Sequence, residues 1–234
     1  MFIERSGVSL VAIGSEYQMS LLLLGDVCPD FEAATSKGQL TMYGYQGDSW
    51  LILFSHPADF TPVCTTELGM VARLQSEFAK RHCKVLALSL DSVESHRRWI
   101  QDIVEVNALG DADIGYPIIA DVDGKVAALY NMRHPGDPLT AGGKVPVRTV
   151  FVIDPAHKLR MQMTYPASTG RNFNEILRVL DSLQLTDKKK VATPANWSAG
   201  DDVVILPSIQ GDDVSRLFPQ GHKMVKPYLR YTQV

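Results

Sequence analysis

One stretch of the chain decides its fold: Trp50-Leu51-Ile52-Leu53-Phe54-Ser55-His56-Pro57-Ala58-Asp59-Phe60-Thr61-Pro62-Val63-Cys64. It opens on a run of apolar strand formers, which predicts a buried β-strand over Trp50–Phe54. A proline-rich bend follows, and apolar residues at helical spacing begin at Cys64. The cysteine is therefore expected between the carboxyl end of a strand and the positive N-terminal end of a helix, where a reactive thiolate is stabilised.

The residues around this stretch predict an α/β fold. A helical pattern extends over Cys64–His82, and a second strand is predicted over Val85–Leu90. Together they form a β–α–β unit, whose crossover is expected to be right-handed. Further downstream the pattern predicts a helix from residue 91, a strand over 117–120, a short helix over 125–130, a hairpin of strands over 147–153 and 159–165, and a helix over 171–183. Residues 31–41 are predicted to be loop or turn.

Composition and charge narrow the functional classes. Of the 234 residues, 45% are hydrophobic and 21% are charged, which is typical of a globular protein. The formal net charge of −3 gives no electrostatic reason to expect nucleic acid or an anionic membrane as a partner. The apolar run Leu21–Leu24 is too short to span a bilayer. With Glu4, Arg5 and Glu16, the first residues resemble neither a secretory signal nor a transit peptide, so we expect a cytoplasmic protein.

The three cysteines, Cys28, Cys64 and Cys83, do not suggest a disulfide framework. Such a sparse set is typical of a reducing compartment. No pair has the spacing of a zinc site or of a C-x-x-C redox motif, and the histidines add no paired ligand spacing, so no metal site is expected. Cys28 and Cys83 are expected to be inert buried residues.

A change in composition predicts a domain boundary near the charged run Asp187–Lys190, which is followed by several prolines and glycines. We expect a main domain over 21–186 and a smaller C-terminal domain over 187–234. Residues 1–20 are expected to be an N-terminal extension, with Met19 as a candidate native start.

Pro57, Thr61 and Cys64 match the Pro-x-x-x-Thr-x-x-Cys signature of the peroxiredoxins, a family of thiol peroxidases. The Thr-Thr-Glu-Leu-Gly run after the cysteine and the distant segments Pro166–Phe173 and Tyr228–Thr232 resemble the one-cysteine, peroxiredoxin-6 type class. The resemblance implies a thioredoxin-like α/β sandwich with a smaller C-terminal domain. It also implies reduction of hydrogen peroxide and of organic hydroperoxides, with lipid hydroperoxides among the candidate substrates.

The resemblance further implies the residues that do the chemistry, without a cofactor. Cys64 is expected to attack the peroxide and to become a sulfenic acid. Arg148 is expected to lie over the thiolate, since an arginine within a buried strand is costly unless it is paired. Thr61 is expected to hydrogen-bond with the peroxide, and Pro57 to shield the sulfur from water. Three further side chains are candidates for supporting these residues: His56, Glu67 and Arg171.

The partners follow from the class. Two-cysteine peroxiredoxins carry a resolving cysteine near the C-terminus, but no cysteine follows Cys83 here. We therefore expect an external thiol or other reductant, with glutathione as one candidate. We also expect a homodimer or a higher oligomer in which residues 187–234 pack on the partner subunit, because the segment is short to build a core alone.

Two alternative functions compete with peroxide reduction. A redox-regulated chaperone or peroxide sensor would use the same cysteine, so the sequence does not separate it from a peroxidase. Some one-cysteine members are described as phospholipases with a Ser-His-Asp set, whose positions here hold Ser49, Tyr43 and Ala156. Asp154 and His157 are close in sequence, but a serine without a base is a poor nucleophile. Lipid hydrolysis is therefore the weaker expectation.

Overall fold

The structure, a computed structural model, describes residues 22–110, 113–132 and 145–234. The expected N-terminal extension over 1–20, including Met19, lies outside the described residues. Within these ranges no helix is long and apolar enough to cross a membrane. The described residues form one large sheet covered by helices and one small C-terminal sheet.

The large sheet has seven strands: β1 (Glu32–Thr35), β2 (Gly38–Thr41), β3 (Trp50–Ser55), β4 (Cys83–Ser89), β5 (Ile118–Ala120), β6 (Arg148–Ile153) and β7 (Leu159–Tyr165). Their order across the sheet is β2-β1-β5-β4-β3-β6-β7. Strands β3, β4 and β5 run parallel, whereas β6 pairs antiparallel with β3. Every residue of β3 is buried, as expected for a central strand that is covered on both faces.

Six helices accompany this sheet: α1 (Met42–Gln46), α2 (Pro62–Arg73), α3 (Gln75–Lys80), α4 (Val93–Val106), α5 (Lys125–Leu129) and α6 (Phe173–Lys188). Leu68 of α2, Trp99 of α4 and Ile176 of α6 share one apolar core with side chains of β3. Met42 of α1 and Val126 of α5 belong to a second core that includes other residues of the same strand. The two cores lie on opposite faces of the sheet because side chains alternate along a strand. This layering confirms the predicted α/β sandwich.

The expectation of loop or turn over residues 31–41 is wrong. Strands β1 and β2 form a hairpin there, and Thr35 pairs with Ile119 of β5, which adds the hairpin to the large sheet. Four-residue strands are too short to show a clear alternation of apolar and polar side chains, so they escape the sequence pattern.

The helix predicted over Cys64–His82 is in fact two helices, α2 and α3. They meet at Leu74, whose backbone angles (φ −92°, ψ 6°) depart from those of an α-helix. The apolar spacing continues across the junction because Phe78 of α3 is buried in the same core as Leu68 of α2. A spacing pattern reports which side chains are buried, and a change of helix axis leaves it intact.

Helices α2 and α4 approach each other closely at Gly69. A Cβ atom at Gly69 would lie 2.0 Å from the Asn107 side chain. That side chain is held in place, because it donates to the carbonyl oxygens of Thr65 and Ile103. The close contact therefore requires glycine, and it packs the helix that carries Cys64 against the end of α4.

The C-terminal region forms a small four-stranded sheet with one helix. Its elements are β8 (Val191–Ala192), β9 (Val203–Ile205), α7 (Asp212–Leu217), β10 (Lys223–Lys226) and β11 (Leu229–Thr232). Trp197, Val203 and Phe218 are buried in a core of this region, and Leu185 of α6 packs against it. The segment thus builds its core together with Leu185 of α6, which lies before the predicted boundary.

Helix α6 continues through the predicted boundary between residues 186 and 187 and ends at Lys188. Asp187 accepts hydrogen bonds from Arg160 of β7 over 2.7 and 2.8 Å. The start of the charged run therefore belongs to the last turn of a packed helix and is not a linker.

Candidate active site

Cys64 lies where the sequence predicts it, after β3 and in the first turn of α2. Thr61 caps the helix with an extended backbone, and Pro62 occupies the first helical turn, where the missing N–H of proline leaves no intrahelical bond unmade. The Cys64 side chain is 0% exposed. Its sulfur therefore lies at the positive end of a helix and away from bulk water.

Arg148 contacts the Cys64 sulfur. The antiparallel pairing of β6 with β3 brings the start of β6 beside the end of β3, which places Arg148 at the cysteine. Its Nη1 donates to Cys64 Sγ over 3.2 Å and to Glu67 Oε2 over 2.7 Å. Its Nε donates to the Ala167 carbonyl over 2.9 Å. Arg148 is 2% exposed, so these bonds fix a buried positive charge against the sulfur.

Glu67 joins Arg148 to Arg171. Arg171 donates to the Glu67 carboxylate from its backbone N over 2.8 Å, from Nε over 2.9 Å and from Nη2 over 2.7 Å. Burial alone would raise the pKa of Glu67, but the hydrogen bonds and charge of Arg171 and the charge of Arg148 hold it below its ordinary value. Glu67 is therefore a carboxylate, and the two arginines leave an excess of positive charge beside Cys64.

Arg171 also fastens the strands that frame the site. Its Nη1 donates to the carbonyl oxygens of Ser55 over 2.8 Å and of Thr149 over 3.1 Å. The first carbonyl ends β3 and the second lies near the start of β6. The guanidinium therefore fixes the relative position of β3, which leads into the Cys64 loop and helix, and β6, which carries Arg148.

Pro57 and Thr61 lie in the loop between β3 and α2. Pro57 is buried, and the Thr61 hydroxyl donates to the Ala58 carbonyl over 2.9 Å. The loop is thus held in a compact turn by its own hydrogen bond. The structure joins four of the predicted residues in one hydrogen-bonded cluster: Cys64, Glu67, Arg148 and Arg171.

A second buried network includes His56, and most of it was missed by sequence reasoning. His56 Nε2 lies 3.1 Å from Asp59 Oδ1, and His96 Nδ1 lies 2.8 Å from Asp59 Oδ2. The spacing of His56 and Asp59 within the cysteine loop was the available signal. His96 gave none, because it lies 37 residues from Asp59 in sequence.

Cys28 and Cys83 are free and buried. Burial, with the negative charge of Asp154, raises the pKa of Cys28 to about 12. Burial also raises the pKa of Cys83. Both side chains therefore remain thiols at neutral pH, which makes them poor nucleophiles, in line with the inert role expected for them.

The described residues do not assemble the Ser-His-Asp set of the phospholipase alternative. Tyr43 stacks on His157, with ring centroids 3.7 Å apart. Ser49 Oγ lies 3.5 Å from His82 Nε2, and the same nitrogen lies 3.3 Å from Asp48 Oδ1. A catalytic relay needs the serine and the acid at opposite nitrogens of the imidazole, so this arrangement does not activate Ser49.

Known protein families and relatives resemble the chain over most of its length. Residues 24–162 match the AhpC/TSA family, and residues 182–218 match the C-terminal domain of 1-Cys peroxiredoxin. A 1-Cys peroxiredoxin of Dictyostelium discoideum is 55% identical over 213 residues, which cover 91% of this chain and 86% of that protein.

Two solved structures share the fold. A mutant of Peroxiredoxin 6 of Arenicola marina superposes with a TM-score of 0.85 at 46% identity, over 91% of this chain and 98% of that one. A yeast mitochondrial 1-Cys peroxiredoxin, studied for thiol resolution through the glutathione and thioredoxin systems, superposes with a TM-score of 0.83 at 46% identity, over 92% of this chain and 100% of that one. The fold is thus the expected thioredoxin-like one with a smaller C-terminal sheet, and the chain belongs to the one-cysteine class of the peroxiredoxin family.

Proposed function

We propose that Cys64 is the nucleophile through which this peroxiredoxin reduces peroxides. The observation that carries the proposal is the 3.2 Å hydrogen bond from Arg148 Nη1 to Cys64 Sγ, at the start of a helix. A buried guanidinium and a helix N-terminus both favour the thiolate over the thiol. Cys28 and Cys83, whose pKa values burial raises, lack this environment.

In the first step the Cys64 thiolate attacks one oxygen of the peroxide. An S–O bond forms, the O–O bond breaks, and the second oxygen leaves with the bonding electrons and takes up a proton as water or an alcohol. The sulfur is oxidised to a sulfenic acid, and the peroxide is reduced. The barrier depends on how well negative charge is stabilised on the leaving oxygen.

Arg148 is suited to stabilise that charge. Within the described part of the chain it donates through Nε and Nη1, which leaves the hydrogens of Nη2 for a peroxide oxygen. The Thr61 hydroxyl, which now donates to the Ala58 carbonyl, can still accept a hydrogen bond from the peroxide. Pro57 is buried in the same loop and limits the access of water.

An external thiol returns the sulfenic acid to the thiol. A first reductant thiol forms a mixed disulfide with Cys64 and releases water, and a second thiol attacks that disulfide and releases Cys64. Glutathione is a candidate, because the yeast relative is resolved through the glutathione and thioredoxin systems. Cys64 has no exposed surface, so a thiol of that size requires the first turn of α2 to open.

Repeated turnover tests the assignment. Peroxide consumption is followed with dithiothreitol, glutathione or ascorbate as the reductant, for the parent protein and for Cys64→Ser, Cys28→Ser and Cys83→Ser. We expect multiple turnovers with a thiol, none in Cys64→Ser, and most of the activity in the other two variants. Retained turnover in Cys64→Ser would overturn the assignment, and a single turnover in the parent protein would favour a sensor over a peroxidase.

We further propose a cytoplasmic homodimer, or a higher oligomer, with a main domain over 21–186 and a C-terminal domain over 187–234. The free, unpaired cysteines support a reducing compartment. Strand β10 lies at the edge of the small sheet, where Met224, Val225 and nearby Tyr228 are exposed. Exposed apolar side chains on an edge strand are suited to an interface with a second subunit.

Truncation after Thr186 tests the role of the C-terminal domain. We expect a monomer or an aggregate with impaired activity, because Leu185 loses the core that it packs against. Light scattering and turnover are the readouts. A well-behaved and fully active dimer after truncation would contradict the assignment, and the peroxidase role of Cys64 would be unaffected.

A further inference from the structure

His96 has a hydrogen-bond acceptor at each ring nitrogen. Nδ1 lies 2.8 Å from Asp59 Oδ2, and Nε2 lies 3.1 Å from the carbonyl oxygen of Ile119 in β5. A backbone carbonyl can only accept, and an ionised carboxylate can only accept. Both nitrogens of His96 must then carry a hydrogen, which makes this 0% exposed side chain an imidazolium.

Asp59 supplies the matching negative charge. Its carboxylate accepts from His56 Nε2 and His96 Nδ1, and from Ser95 Oγ over 2.7 Å. Burial alone would raise the pKa of Asp59, but the hydrogen bonds from the two histidines outweigh it and hold the pKa well below its ordinary range. A buried charge is tolerated when it is paired and its hydrogen bonds are made, and both conditions are met here.

His56 is left in a single neutral form. Its Nε2 must donate to Asp59, whereas its Nδ1 is buried and has no hydrogen-bond partner among the described residues. Burial lowers the pKa of His56 and outweighs the opposite effect of Asp59, so the ring is uncharged with a bare lone pair on Nδ1. Its ring packs against Trp99, with centroids 5.2 Å apart.

The same aspartate anchors the loop that leads to Cys64. Its backbone N donates to Asp91 Oδ2 over 2.9 Å, and Asp91 also accepts from Ser89 Oγ over 2.8 Å. Main chain and side chain of Asp59 are therefore tied to the end of β4 and to the start of α4. Thr61, the N-cap of α2, and Cys64 in its first turn come shortly after Asp59 in the sequence.

We propose that Asp59 and His96 are positioning residues for the peroxidase site: their ion pair fixes His56 as its Nε2–H tautomer and holds the loop from Pro57 to Thr61 so that Cys64 meets Arg148. The proposal rests on the proposed role of Cys64.

Nitrogen NMR of the histidine side chains shows which ring nitrogens carry a hydrogen, and it does so independently of activity. In the reduced full-length protein near neutral pH, we expect one histidine with both nitrogens protonated, whose signal is lost in His96→Gln. We expect a second histidine in the Nε2–H form, whose signal is lost in His56→Gln. A neutral His96, or a His56 that is protonated on Nδ1, would overturn the proposal.

Asp59→Asn tests the effect on the reaction, because asparagine keeps the shape but turns a donor toward one of the histidines. Misplacing a reacting group by about 1 Å can cost about 100-fold in rate. We expect the rate constant of Cys64 oxidation by peroxide to fall by roughly tenfold or more. His157→Gln is the matched control, since His157 lies beyond the opposite end of β6 and is expected to keep the parent rate.

An unchanged oxidation rate in a folded Asp59→Asn variant with altered histidine signals would overturn the positioning role. If that variant fails to fold, Ser95→Ala removes one donor to Asp59 and keeps both histidines. We then expect a smaller fall in the rate and a shift of the His96 signals, and no change in either would overturn the proposal. If Cys64→Ser retains turnover while the histidine signals are as expected, the role of Cys64 as the nucleophile is refuted, whereas the ion pair between Asp59 and His96 is supported.

Discussion

Arg148 and Arg171 share the Glu67 carboxylate, yet Arg148 also reaches the Cys64 sulfur. Arg171 makes the larger number of bonds, to Glu67 and to the carbonyl oxygens of two strands. The two arginines thus differ in their contacts: Arg171 joins Glu67 to the two strands, and Arg148 contacts the sulfur of the proposed nucleophile. Substitution of Arg148 is expected to affect chemistry more than folding.

Arg148→Met is expected to keep the fold and to slow peroxide reduction. Glu67 retains its bonds from Arg171, so it is not left as an unpaired buried charge. Loss of one strong transition-state donor typically costs on the order of 100-fold or more in rate. Stopped-flow oxidation of Cys64 and its alkylation rate at neutral pH are the measurements.

Arg178→Met is the matched control for that prediction, since Arg178 pairs with Glu175 on the partly exposed surface of α6. It is expected to keep the parent rates. An Arg148→Met protein that is alkylated as fast as the parent would show that the guanidinium does not stabilise the thiolate.

The sequence identified all four residues of the arginine–glutamate–cysteine cluster but not the way they connect. Glu67 follows Cys64 by one helical turn, so its place near the sulfur could be predicted from helix geometry. Its partner Arg171 lies 104 residues away, and only the tertiary fold brings the two together. The pair of Asp59 and His96 was missed for the same reason.

At the scale of elements, the contact between α2 and α4 depends on Gly69. Gly69→Ala places a Cβ atom 2.0 Å from the Asn107 side chain, so one helix must shift or Asn107 must give up its hydrogen bonds. Overpacking of this kind typically costs about 1–3 kcal/mol of unfolding free energy. Urea unfolding of the variant measures the loss.

A double-mutant cycle identifies the source of that loss. Asn107→Ala removes the side chain that the new methyl group would meet, and it carries a cost of its own because two hydrogen bonds are lost. Gly69→Ala is then expected to cost much less in the Asn107→Ala background than in the parent. Equal costs in the two backgrounds would mean that the glycine is not required by Asn107.

Most elements of the large sheet and its helices were predictable from their spacing patterns and turn signals. The buried strands β3 and β6 were predicted to within one residue, and α4 and α6 begin two residues after their predicted starts. Strands β1 and β2 have four residues each, so their hairpin depends on pairing with β5 rather than on a pattern of its own.

At the scale of the whole molecule, the free energy of unfolding is expected to decrease as the pH is lowered, because folding lowers the pKa of several buried groups. For such a group the unfolded chain binds more protons, so its contribution is present above the ordinary pKa and is lost as the pH falls. As the pH is lowered, the contribution of His56 is lost first, below its ordinary pKa of 6.5. Asp59 and Glu67 follow below 3.8 and 4.5.

Urea unfolding over this pH range measures the effect. The free energy of unfolding of the parent protein is expected to decrease once the pH drops below 6.5. For His56→Gln, the plot of this free energy against pH is expected to be flatter from 6.5 down to the pH at which the carboxylates titrate. Identical slopes for the parent and His56→Gln would mean that His56 is not held neutral by the fold.

Helix α6 belongs to two cores at once. Ile176, Leu177 and Leu180 are buried against the large sheet, and Leu185 packs on the small C-terminal core. Unfolding of the small core would remove packing contacts from the helix that the large core needs, so we expect the two cores to unfold together. A calorimetric scan should therefore give a single endotherm, and a substitution in either core should move that one peak.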